Sequence, residues 1–190
     1  MDLAISKWVV ETFGNSKLFA LVSKFLTYIG ETGAIVMLVV ILLAFKKTRR
    51  LGIYMGCIVG FSYIVNAVIF KPLIARDRPF VEYENLGQMC KLADYPFPDG
   101  YSMASGHSTA SMSIAMTVFL FNRKYGWTAF AYPLVVGFTR IALCVHYFTD
   151  VLAGFAWGAI AAVGVYFLLK FIEKKIFEKR KIKNENNRSS

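Results

Sequence analysis

The stretch Thr139–Asp150, TRIALCVHYFTD, sets an arginine, a histidine and an aspartate into an otherwise oily run. His146 follows Arg140 by six positions, and Asp150 follows His146 by four. A carboxylate four residues past an imidazole can accept its Nδ1–H, which fixes the tautomer and leaves Nε2 with a lone pair. Arg140 cannot share that face on one continuous helix, because six steps turn it about 240° away. The chain must bend between them, with Thr149 as N-cap of the helix that follows. The bend gathers Arg140 and His146 about one small ligand. Ionisable side chains between apolar flanks are costly to keep, so they mark function.

Two further clusters ask for the same kind of ligand. In KPLIARDRPF, residues 71–80, Lys71 precedes a proline, so a helix is expected to end there with the ammonium at an interface. Snorkelling accounts for Lys71, but not for Arg76 and Arg78 in a loop stiffened by Pro79. In YSMASGHSTASM, residues 101–112, Ser105-Gly106-His107 opens a helix. Its free N–H groups and dipole make an anion site, Gly106 permits close approach, and the Ser105 hydroxyl adds a donor. The competing reading is a plain serine cap beside an incidental histidine. Together the cations and N–H donors ask for a polyanion with several oxygens, and guanidinium forks match phosphate. Two histidines supply a nucleophile and a proton donor, and spacing leaves open which does which. The carboxylate cluster that magnesium needs and a third close zinc ligand are both missing, so no metal and no cofactor is expected.

The elements that position these groups belong in a bilayer. The chain has 190 residues and is 56% hydrophobic, above the usual soluble share. Leu51–Phe70 meets the roughly 20-residue requirement for a spanning helix and Val151–Leu169 comes close. Six spans are expected, at about 17–29, 32–46, 51–71, 106–122, 125–141 and 150–170. The first two are short and meet at YIGETGA, so a single broken helix is the alternative there. Residues 2–13 are expected as an amphipathic surface helix, with Trp8, Val9 and Val10 toward lipid. MDLAISKWVVETFG lacks a basic n-region and a small-residue cleavage pattern, so cleavage is not expected.

The formal charge of +10 is distributed as KKTRR (46–50), RK (123–124) and KKIFEKRKIK (174–183). These flank apolar runs, which is the positive-inside pattern rather than a nucleic-acid surface. Both termini then face the cytoplasm. The long loop of about 72–105 and the turn near 142–149 lie outside, so every candidate functional residue collects at the outer face. The expected organisation is one membrane-embedded domain over 1–175 and a basic cytoplasmic tail over 176–190. Cys57 and Cys144 read as small core residues, and Cys90 as a lone thiol in a polar loop. Gly154, Gly158 and Ala162 recur every four residues as a face for close helix packing.

The three clusters resemble the signature of the type 2 phosphatidic acid phosphatase superfamily: K-x6-R-P, then P-S-G-H, then S-R-x5-H-x3-D. Here they read Lys71…Arg78-Pro79, Ala104-Ser105-Gly106-His107 and Thr139-Arg140…His146…Asp150. The resemblance runs from about residue 15 to 170. Ala104 stands where the pattern has proline, Thr139 where it has serine, and Phe148 where many members have proline. None of these removes a side chain that does chemistry.

The resemblance implies an all-α integral-membrane bundle of six spans. It implies a metal-independent lipid phosphatase acting through a phosphohistidine. His146 would attack phosphorus, Asp150 would orient it, and His107 would protonate the leaving group. Lys71, Arg78, Arg140, Ser105 and Gly106 would hold the phosphoryl oxygens, while Arg76 has no family role. The partner is a membrane lipid phosphate, with undecaprenyl diphosphate the leading substrate for an outward-facing site. Phosphatidylglycerophosphate, phosphatidate and phosphate transfer to another lipid are the enzymatic alternatives. An anion channel or transporter would use the cations but leave the His146–Asp150 pair idle.

Overall fold

The computed structural model describes residues 1–189 and, among them, is helix and connecting segments without a strand. Helix α1 (Asp2–Phe13) leads into α2 (Lys17–Tyr28), whose N-cap Ser16 accepts from the Phe19 N–H at 3.3 Å. After the short break at Ile29–Glu31 comes α3 (Thr32–Ala44), apolar on every side. Only Ile35 of α3 is buried, and Val36, Met37, Val40 and Ile41 are exposed. A helix apolar all round yet unburied by protein needs lipid as its surroundings. Three helical runs, Lys17–Ala44, Arg49–Glu82 and Phe148–Asn187, are long and apolar enough to cross a membrane.

Helix α4 (Arg49–Val65) does not stop at Lys71. It continues through a π-turn (Asn66–Phe70) and a last turn at Lys71–Ile74, ending at Ala75 with φ +48°. Pro72 removes one N–H and crowds the carbonyl four residues back. The wider π-turn just before it relieves both effects, which is why the expected stop fails. The loop that follows carries its own small helices, Pro79–Glu82 and α5 (Gln88–Ala93). With α1 and the 143–145 turn these make a core of Val9, Leu86, Met89, Cys90, Ala93, Leu143 and Val145. Lys24, which interrupts the apolar run of α2, is tied down here by donating to the Asp94 carbonyl at 2.6 Å.

Three local expectations are corrected at this end. Val9 is buried in that core rather than facing lipid, because three consecutive helical residues cannot share one face. Cys90 is fully buried, its thiol donating to the Leu143 carbonyl at 3.2 Å. Cys57 is exposed on α4 instead of buried.

Helix α6 (Gly106–Phe121) runs through the middle and packs on α4, on α7 (Ala131–Ala142) and on α8 (Phe148–Ser189). Its buried face is built of small and hydroxyl residues, including Ser108, Thr109, Ala110, Ser111, Ser113 and Thr117. The hydroxyls bond back along the helix, as Thr109 to the Ser105 carbonyl at 2.9 Å and Thr117 to the Ser113 carbonyl at 2.7 Å. Backbones can therefore approach closely without stranded polar groups. A Cβ on Gly154 would lie 2.8 Å from the Ser105 carbonyl oxygen, and one on Gly158 2.4 Å from that of Thr109. The glycine stripe of α8 is a packing face against α6. The span expected at 125–141 is broken by a 3₁₀ turn at Trp127–Phe130 before α7 begins. The final helix starts at Phe148, so Thr149 lies inside it rather than capping it.

Candidate active site

At the end of the bundle that carries the 72–105 loop, the three clusters meet around a cavity of about 500 Å³. Lys71, Arg78, Gly106, His107, Arg140 and His146 all line it. They come from five pieces of chain: the last turn of α4, the loop after it, the start of α6 (Gly106 and His107), the end of α7 and the turn before α8. Asp150 stands behind His146 in the first turn of α8, fully buried.

Arg78 is 3% exposed, and its guanidinium is spread over backbone oxygens. Nε donates to Gly100 at 2.8 Å, Nη2 to Asp99 at 3.0 Å and Nη1 to Val145 at 3.0 Å. Nη1 also lies 3.3 Å from His146 Nε2. A guanidinium can only donate, so Nε2 must be the acceptor and Nδ1 carries the proton. On the Nδ1 side, the Ser102 hydroxyl sits at 3.4 Å and itself donates to Asp150 Oδ2. Asp150 is 3.8 Å from Nδ1. The serine therefore stands between ring and carboxylate. Burial holds His146 below the ordinary imidazole range; Asp150 opposes this, and Arg140 and Arg78 reinforce it. The ring is held neutral, with its Nε2 lone pair beside Arg78 at the cavity wall.

Asp150 is over-determined. Besides Ser102 it accepts from the Tyr147 N–H at 2.8 Å and from Arg76 Nη1 at 2.8 Å. Tyr147 precedes the first residue of α8, so the Asp150 bond closes one half of a capping box. The aspartate both starts the helix and backs the histidine.

Arg140, 1% exposed, donates through Nη1 to Thr27 at 2.7 Å and to Tyr95 at 2.9 Å. Its Nε has no partner among the described residues, and neither does His107 Nε2. Glu31 Oε1 lies 3.4 Å from that His107 nitrogen, near enough for an ion pair without hydrogen-bond alignment. Tyr95 donates to the same oxygen at 3.2 Å. A chain of contacts thus runs from Arg140 through Tyr95 and Glu31 to His107.

Of the residues expected from sequence, Ser105 does not face the cavity. It is fully buried and caps α6, accepting from the Ser108 N–H at 3.4 Å and the Ser108 hydroxyl at 3.0 Å. Ser102, Glu31 and Tyr95 were not singled out. Glu31 carried a usable signal, a carboxylate between two apolar runs. Ser102 and Tyr95 carried none, since their placement depends on how the loop folds back. Among the described residues no three His, Cys, Asp or Glu side chains converge as a metal site would require. Away from the charged end, Ile35, Val36, Val39, Val40, Val59 and Tyr63 continue the cavity as an apolar groove between α3 and α4.

A helical membrane bundle with a cavity lined by three cations and a backed histidine defines the class. The model of the PAP2 superfamily matches residues 50–174, and the chain belongs to that family. It is 32% identical over 123 residues to the undecaprenyl-diphosphatase BcrC of Bacillus subtilis, a match covering 63% of this chain and 58% of that one. To the lipid A 4′-phosphatase of Porphyromonas gingivalis it is 31% identical over 136 residues, covering 65% of this chain and 55% of that one. The matches thus span less than two thirds of either relative. The crystal structure of a transmembrane PAP2-type phosphatidylglycerolphosphate phosphatase from Bacillus subtilis superposes with a TM-score of 0.68 at 26% identity. That superposition covers 92% of this chain and 85% of the other.

Proposed function

We propose that this protein is a membrane lipid phosphatase that works through a phosphohistidine on His146, without a metal. The observation that carries the reading is the setting of His146. Its Nε2 lone pair lies at the wall of a cavity lined by Lys71, Arg78 and Arg140, while Ser102 and Asp150 hold the far side of the ring. Nε2 attacks phosphorus, the bond to the leaving oxygen breaks, and that oxygen takes a proton from His107. Water then attacks the phosphohistidine, giving its proton to His107, and phosphate leaves with His146 restored. The three cations and the N–H groups at Gly106 neutralise charge on the phosphoryl oxygens throughout. A channel would have no use for a histidine so carefully backed.

The apolar groove between α3 and α4 supports a substrate with a hydrocarbon tail. Undecaprenyl diphosphate is the leading substrate, supported by the relative that carries that activity in its name. A second reading rests on Glu31, which also lines the cavity. A carboxylate beside the leaving group repels a further phosphate and accepts from hydroxyls, which suits phosphatidylglycerophosphate. The structurally similar phosphatidylglycerolphosphate phosphatase supports the same reading. The test is phosphate release in detergent from a panel of undecaprenyl diphosphate, phosphatidylglycerophosphate and phosphatidate, with and without EDTA, and with vanadate. Hydrolysis that survives chelation and is inhibited by vanadate is expected. Loss of activity in EDTA with rescue by magnesium would overturn the mechanism, and the rank order of the lipids decides between the two substrates.

A further inference from the structure

Arg76 lies outside the family signature, yet it makes three directed side-chain contacts beside the site. Its Nη1 donates to Asp150 Oδ1 at 2.8 Å and to the Thr149 hydroxyl at 2.7 Å. Its Nη2 donates to Asp2 Oδ2 at 2.9 Å. The guanidinium also lies over the Tyr147 ring, 4.0 Å from its centroid. Asp2 in turn accepts from the Thr149 N–H at 3.2 Å and from its hydroxyl. The carboxylate of Asp2 is held below its ordinary range: partial burial alone would raise it, but the bonds from Thr149 and Arg76 outweigh that. It is therefore a fixed anion, 18% exposed.

This arrangement closes a bracket. One arm of Arg76 holds the oxygen of Asp150 that Ser102 and Tyr147 leave free. The other arm is anchored by the first turn of α1, which grips the first turn of α8 at Thr149. Neither Asp2 nor the rest of α1 falls within the family-matched segment, residues 50–174, so this support is a feature of the chain's own N-terminal helix. A long arginine with one anchored end has few rotamers left, so its free Nη1 is presented to Asp150 at no further entropic cost. Without Asp2 the same side chain could swing toward solvent.

We propose that Asp2, acting through Arg76, is a positioning residue for the Asp150–His146 pair, so that α1 is part of the catalytic assembly and not only a surface element. The proposal rests on His146 being the nucleophile. Removing the anchor loosens Asp150 and, through Ser102, the tilt of the imidazole. Arg78 and Arg140 are held by other contacts and are left alone. The effect should therefore fall on kcat and spare binding.

The experiment uses the full chain with any tag at the C-terminus and compares Asp2→Asn, Asp2→Glu, Arg76→Lys and His146→Ala on one lipid phosphate. Asp2→Asn is expected to lower kcat by roughly 10-fold, the lower end for deleting an outer partner of a functional group. KM, competitive inhibition by inorganic phosphate and thermal stability should stay at wild-type values. Asp2→Glu should recover most of the loss. Arg76→Lys, whose single ammonium cannot span Asp2, Thr149 and Asp150, should lose at least as much as Asp2→Asn. Full activity in Asp2→Asn beside a dead His146→Ala would overturn the proposal and leave the mechanism standing. Turnover in His146→Ala would instead overturn the mechanism beneath it. A fall in thermal stability with a raised KM, unrelieved by Asp2→Glu, would reduce Asp2 to a structural contact. If Asp2→Asn does not fold, a stable Thr149→Val with unaltered kcat would count equally against the bracket.

Discussion

His146 sits between Arg78 on one nitrogen and Ser102 on the other, and each neighbour makes a separable prediction. In the proposed mechanism His146→Ala removes the covalent step and should abolish turnover on every substrate. His107→Ala removes only a proton donor, worth about 10²–10⁴-fold. Its loss should be severe on an alkyl lipid phosphate and partly relieved on an aryl phosphate, whose leaving group barely needs a proton. Assaying both variants on both substrates checks the assignment; aryl activity surviving in His146→Ala instead would reverse it. Ser102→Ala leaves the ring in place but breaks the relay to Asp150, so a drop in kcat of about 10-fold is expected, with KM unchanged. The pH profile follows from the burial of His146. A histidine whose pKa is lowered is already deprotonated at every pH above that lowered value, so acid does not silence the nucleophile until well below the ordinary range. The acid limb of the kcat profile should therefore lie well below about pH 6.5, where a free imidazole would titrate. An acid limb near 6.5 would contradict this. Among the residues that line the cavity, Lys71, Arg78, His107, Arg140 and His146 were legible because each is a charged or titratable group in an apolar setting. Ser102 was not, because a serine in a loop has no spacing rule that ties it to a histidine 44 positions away.

Among the elements, the seam between α6 and α8 fixes where the clusters meet. Gly154 abuts the Ser105 carbonyl, directly beside the start of α6, and Gly158 abuts that of Thr109. A methyl group at 158 has to push the two backbones apart, since the nearest atom is a carbonyl and not a flexible side chain. Gly158→Ala should cost about 1–3 kcal/mol, the range for inserting a methylene group into a packed site, and lower the melting temperature in detergent. Gly164→Ala, where nothing lies within 4 Å, should be neutral or mildly stabilising. Equal melting temperatures for the two variants would show that the seam is looser than its geometry. The four-residue spacing of Gly154, Gly158 and Ala162 announced this seam in the sequence. The continuation of α4 past Lys71 was hidden, because a proline normally signals an end and the π-turn that accommodates it leaves no composition mark. Glu31 shows the same limit. It occupies the break between α2 and α3 that the glycines of YIGETGA foretold, but its approach to His107 depends on α6 lying alongside. Glu31→Gln keeps the shape and removes the charge that faces His107. A several-fold loss of kcat confined to alkyl substrates is expected, within the 10²–10⁴-fold that the acid itself is worth.

At the scale of the whole molecule, the basic residues and the cavity lie at opposite ends of the bundle. Arg50 forms a two-point ion pair with Glu173, at 3.1 and 2.5 Å, which joins the 46–50 loop to the base of α8. Phe121, just before the basic pair 123–124, packs on Tyr54 and Tyr166 at that same end. Helix α8 has 42 residues and so runs about 63 Å, against a hydrocarbon core of about 30 Å. Its charged last third therefore projects past the bilayer on the side where the basic loops sit. Charge alone foretold this grouping, because loop composition is read by the membrane and does not depend on side-chain packing. The positive-inside rule predicts that end in the cytoplasm, and on that reading we propose that the cavity opens to the outside. The natural thiols cannot report on it: Cys90 and Cys144 are buried, and Cys57 is exposed only on the flank of a spanning helix. Asn85, exposed on the 3₁₀ turn at Glu84–Gly87, is the better reporter. In a Cys57→Ser background, Asn85→Cys should react with a membrane-impermeant thiol reagent in intact cells, while Lys124→Cys, at the opposite end, should react only after lysis. The reverse labelling would place the phosphate cavity in the cytoplasm and, with it, remove the reason to prefer an outward-facing carrier lipid as substrate.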